Sequence, residues 1–172
     1  MSVSNKLFSD YIRAYMGYNT EFSGRFALNK KLDTEIHSFL SKLSKTRRMK
    51  RSLPPEYGVE GEFYVDGKGL YGQDHESSVV DFNRPPSTQP SLWCQWRPSD
   101  NGLFIQWDGS EKFYNYVEWI EYIIDNILKP NGYYLNGDVS FQGEDPNDNG
   151  IISIKDNIVC IISNRNYLKV GF

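Results

Sequence analysis

The chain is poor in the residues that most often advertise chemistry, with two cysteines, two histidines and three methionines in 172 residues. It has no CxxC pair, no HExxH helix and no glycine-rich phosphate loop, so the spaced zinc, metalloprotease and P-loop signatures are excluded. No stretch reaches the ~18 apolar residues a membrane-spanning helix needs. The longest candidate is interrupted by Asp125 and Asn126. The first ten residues carry Lys6 but no apolar core and no small-residue cleavage site, so no secretory signal is expected and the reading is a cytoplasmic protein. Cys94 and Cys160 each sit in an apolar, strand-like run and are expected to be buried free thiols, without disulfide or metal.

What the chain does have is enough apolar and aromatic material to fold, 39% and 15% of its residues respectively. Its charge is small overall, at −3, but uneven. Residues 1–53 hold eleven basic side chains against four acids, whereas residues 54–172 hold eight against eighteen. A basic segment joined to an acidic body says more about partners than about fold.

Periodicity predicts a first helix in which Leu7, Phe8, Tyr11, Ile12 and Tyr15 share a face. A second, capped by Asn29, is predicted from Leu32, Ile36, Phe39, Leu40 and Leu43. Pro54 and Pro55 close this segment. Short strands are expected at 62–65, 69–71 and 79–82, then a proline-rich loop over 83–91. From Leu92 a hairpin is predicted, with Trp96 and Trp107 on partner strands. An amphipathic helix follows, starting near Asp108 and Glu111 and carrying Phe113, Val117, Ile120, Ile124 and Ile127 on one stripe. Two strands, 133–142 and 151–163, follow, with a last short strand expected at 168–170. The expected class is α+β, an N-terminal helical hairpin followed by an antiparallel β-sheet packed by one long amphipathic helix. The segments are 1–53, 54–91 and 92–172, within one compact domain overall.

Candidate sites are few. Lys42, Lys45, Arg47, Arg48, Lys50 and Arg51 form a basic run that would suit phosphate groups, with a solvated helix end as the plainer reading. Tyr114, Tyr122, Tyr133 and Tyr134 would suit a protein interface if exposed. Asp145, Asn147, Asn149 and Asp156 fall at calcium-loop spacing. A strand follows, however, and an aspartate closes the loop where a longer glutamate is usual, which favours a polar hairpin loop. His37 lies on a predicted helix, and His75, between Asp74 and Glu76, is read as part of a surface loop. No catalytic residue, metal site or cofactor is assigned.

The segment from Trp107-Asp108-Gly109 through Glu111-Lys112-Phe113-Tyr114 and Glu118-Trp119-Ile120 to Leu135-Asn136-Gly137 and Gly143-Glu144-Asp145 resembles a pattern in uncharacterised small proteins of bacteria and their phages or prophages. The resemblance covers the C-terminal half. It implies an accessory protein that acts by occupying the surface of a host protein. With the acidic body, the expectation is a non-enzymatic protein that binds a host protein handling nucleic acid or acting in defence. Nucleic-acid binding through the basic segment is the alternative, no membrane is involved, and the sequence does not set an oligomeric state.

Overall fold

A computed structural model describes residues 17–68 and 76–163. The chain enters as an extended segment with a single break, β1 (Thr20–Gly24) and β2 (Phe26–Leu28). Both halves run antiparallel to β7 (Leu135–Gly143) in one unbroken register, Thr20 opposite Gly143 and Leu28 opposite Leu135. The break is a bend built by two glycines. Gly24 and Gly137 have φ of 108° and 126°, and a Cβ on either would press on a carbonyl of the other strand, Asp138 O at 2.8 Å or Arg25 O at 3.3 Å. Glycine is the residue that adopts this backbone without strain.

Beyond the bend, β2 pairs with β6 (Phe104–Trp107), which pairs with β5 (Trp96–Pro98) so that Trp96 stands opposite Trp107. On the other side of β7 lie β8 (Asn149–Lys155) and β9 (Ile158–Ser163), giving one seven-stranded antiparallel sheet in the order β5-β6-β2-β7-β8-β9 with β1 also on β7. A separate pair joins β3 (Lys50–Arg51) to β4 (Val79–Asp81).

The helical hairpin expected at the N-terminus is not the architecture. Its first helix falls on residues outside those described, and two strands, β1 and β2, occupy the stretch before its second. That second helix exists as α1 (Thr34–Leu43), capped by Asp33 rather than Asn29, with Asp33 Oδ1 accepting from the Ile36 amide at 2.8 Å. Leu40 and Leu43 turn its buried face to the body. Among the described residues the architecture is mostly antiparallel sheet with two short helices.

The amphipathic helix α2 (Tyr116–Ile123) begins later than Asp108 and widens into a π turn over Ile124–Leu128 before a 3₁₀ turn, Lys129–Asn131, ends it at Gly132. It is buried around most of its circumference, by Trp119, Ile120, Ile123, Ile124, Ile127 and Leu128. Against it pack the inward residues of the alternating strands, among them Phe26, Trp96, Ile105, Leu135, Val139 and Ile152. Phe22 is a centre of edge-on aromatic contacts, with ring centroids 5.4 Å from both Trp96 and Trp107 and 4.9 Å from Tyr116. Each large apolar side chain so buried contributes ~1.5–3 kcal/mol.

Three further expectations are corrected. The run 151–163 is two strands, because Asp156 and Asn157 take φ of 49° and 68° and make a two-residue hairpin turn. That turn places Cys160 on the outer face of the sheet, exposed, while Cys94 is buried. Residues 62–65 form no strand. No helix among the described residues is long and apolar enough to cross a membrane.

Candidate functional site

The basic run is largely folded into the protein. Arg48 is 2% exposed. Its guanidinium donates to Gln89 Oε1 at 2.9 Å, Tyr64 O at 2.6 Å and Glu62 O at 2.8 Å. It forms no ion pair among the described residues, and burial pushes it down to about 10. These bonds explain why 62–65 is no strand: its carbonyls serve Arg48 instead of a ladder. Arg51 is equally buried and donates to Glu76 at 2.5 Å and Ser78 Oγ at 2.8 Å, with its guanidinium over the Tyr64 ring. Lys50 pairs with Glu60 at 2.7 Å, and Arg47 stacks 4.1 Å over Phe82 while its Nε donates to Phe82 O. Lys42 and Lys45 are the two members of the run left exposed.

The four tyrosines divide in the same way. Tyr122 and Tyr133 are buried, the first accepting from Gln89 Nε2 and the second donating to Asp33 Oδ2. Tyr114 and Tyr134 are exposed. They flank opposite ends of the helical stretch 116–131, ~24 Å long at 1.5 Å per residue, and do not form one patch.

The loop with calcium-like spacing is a hairpin connection between β7 and β8. Asp145 Oδ1 is occupied by the Asn147 amide, Asn149 Nδ2 donates to Pro146 O, and Tyr18 ties Asp148 and the Asp145 amide. Asp156 is at the far end of β8, roughly 20 Å away. No cluster of three or more His, Cys, Asp or Glu residues that could hold a metal ion occurs among the described residues. On α1, His37 Nε2 lies 3.0 Å from Ser99 O. His75 lies outside the described residues, and Glu76 beside it is held low, chiefly by the Arg51 hydrogen bond.

Two surfaces remain at the two edges of the sheet. The first is the outer face of β1-β7-β8-β9. Here Ser140, Ile151 and Ile162 lie in one cross-strand row, Ser153 and Cys160 in the next, and Lys155 and Ile158 in the last. Ile158 is 73% exposed, and Ile151 and Ile162 are also open. A groove of about 490 Å³ crosses this face between Glu21, Ser23, Gln142 and the Ile151–Ile162 pair. β9 pairs with β8 alone among the described strands. Residues 135–163 carry five acids against Lys155 alone.

The second is a cleft of about 620 Å³ over β5 at the other edge. Alternation turns Cys94 and Trp96 into the core and leaves Trp93, Gln95 and Arg97 along the cleft. Gln95 is fully engaged, accepting from Trp107 Nε1 at 3.0 Å and donating to Glu111 O at 2.8 Å, which fixes the wall 108–111. The opposite wall is Lys45 and Lys68, the latter placed by Thr46, whose hydroxyl donates to Lys42 O and accepts from the Asp66 and Gly67 amides. Burial raises the Asp108 carboxyl above its ordinary value, although the Ser110 amide donates to it.

Neither surface was named from the sequence. The cleft's one trace there is the alternation Trp93, Gln95, Arg97, and the outer face was masked by reading 151–163 as one strand. The chain matches no family model, and no curated protein or solved structure matches it.

Proposed function

We propose that this is a non-enzymatic, cytosolic binding protein of a bacterium or phage that docks through the outer face of β7-β8-β9 on a host protein with a basic surface. Such a surface is typical of proteins that hold nucleic acid. The observation that carries the reading is the exposed Ile151, Ile158 and Ile162 on an edge-proximal sheet face within an acidic segment. Apolar side chains exposed together favour burial against a partner, and an edge strand offers backbone groups for strand addition. Carboxylates around them would steer a cationic partner and repel other acidic surfaces. An unpaired Cys160 thiol on the same face is compatible with the reducing cytosol.

The test is affinity capture from bacterial lysates by the wild-type chain and by an Ile158→Ser, Ile162→Ser variant, with light scattering of the chain alone. The reading predicts a stoichiometric host protein that is released by salt and missing from the variant. Equal capture by both chains refutes it, as does a dimer that the same substitutions dissociate, since the face then belongs to a second copy.

A further inference from the structure

We propose that the cleft over Trp93 and Arg97 is a binding site for a nucleoside phosphate, with the base on the indole and the phosphate among Lys45, Lys68 and Arg97. The site lies at the opposite edge of the sheet from the docking face and is independent of it.

Polarity across the cleft selects the ligand. Three cations line it together with two carboxylates, Asp108 and Glu111. A simple anion would meet the carboxylates and a simple cation would meet the lysines, so the complementary molecule is anionic at one end and a hydrogen-bond donor at the other. A nucleoside phosphate has both, as phosphate oxygens and as sugar hydroxyls or base amino groups. Between them it carries a flat ring, and Trp93 supplies a flat partner.

The side chains are available for this. Among the described residues the Lys45 ammonium forms no hydrogen bond or ion pair, and Arg97 holds only the Pro98 carbonyl and the fully exposed Asp100, each at 3.4 Å. Lys68 is more committed, at 3.1 Å from Glu76. The Trp93 indole N–H makes no hydrogen bond among the described residues, whereas Trp96, Trp107 and Trp119 each spend theirs within the fold. Because Gln95 and Thr46 lock the two walls, the site is formed before a ligand arrives. Its volume, about 620 Å³, lies within the range of small-molecule sites.

Isothermal titration calorimetry of the full chain against the four common ribonucleoside monophosphates, a short single-stranded RNA and inorganic phosphate tests this. At least one mononucleotide should bind, and inorganic phosphate far more weakly. Trp93→Ala and Lys45→Glu should each weaken binding by about tenfold or more. Lys45 is exposed, so its replacement leaves the fold intact, and Lys129→Glu at the end of α2 should bind as wild type. Affinity for RNA far above that for any mononucleotide would identify the source as a strand end. No heat from any nucleotide or RNA, or binding unchanged in both cleft variants, overturns the proposal.

Discussion

The guanidinium of Arg48 donates to the side-chain carbonyl of Gln89 across 2.9 Å, 41 residues apart in sequence and away from water. Together with its bonds to Tyr64 O and Glu62 O, it pins the glycine- and proline-rich stretch to the body. A cation that the sequence offers as a candidate phosphate ligand, with a solvated helix end as the plainer reading, thus works as an internal tie.

Replacing Arg48 should therefore act on stability. Arg48→Ala leaves buried carbonyls and Gln89 without donors and should cost about 3 kcal/mol or more. Arg48→Lys should recover little of it, since one ammonium cannot span the fork of acceptors. Urea unfolding monitored by tryptophan fluorescence reads both, and wild-type midpoints would contradict the internal role.

The Lys50–Glu60 pair predicts an acid-sensitive step. Lys50 foremost, and then the Ser87 amide, holds the Glu60 carboxyl down from 4.5 to about 2. A folded-state value below the unfolded one gives stabilisation that is complete above pH 4.5 and is lost as pH falls toward about 2. Glu76, lowered chiefly by Arg51, acts in the same direction. Urea midpoints measured down through this window should fall steeply in the wild type and less so in Glu60→Gln.

The bend in the long strand gives a third test. Gly137→Val places a branched side chain at φ 126° against the Arg25 carbonyl. It should cost about 2 kcal/mol or more. Gly109→Ala also has positive φ, 85°, but meets nothing within 4 Å, and should cost about 1 kcal/mol. Thermal melts of the two variants should rank them in that order, and equal melting temperatures would show that crowding at the bend does not matter.

Local patterns were legible where a single element decided them. Leu40 and Leu43 on α1, Ile120, Ile124 and Ile127 on α2, and the Trp96–Trp107 pairing all follow from spacing of three, four or two. Polar turns without glycine were not legible in the same way. Asp156-Asn157 carries a hairpin signal easily lost inside an apolar run, and missing it merged two strands and hid an exposed face. β1 and β2 were missed because Thr20 to Leu28 holds only a few apolar residues, interrupted by Gly24 and Arg25, and draws its strand character from β7.

By itself, then, the sequence determined that a folded chain would form with an acidic C-terminal part, an apolar helix through its core and no spaced metal or nucleotide motif. Only the tertiary structure decided what the charges and aromatics do. Whether Arg48 meets solvent or Gln89, whether Tyr122 is a contact or a core residue, and which tryptophan borders a cleft all depend on partners tens of residues away. A side chain's polarity is local and fixed, but its burial is set by the long-range pairing of strands, and burial turns the same cation from a ligand into a brace.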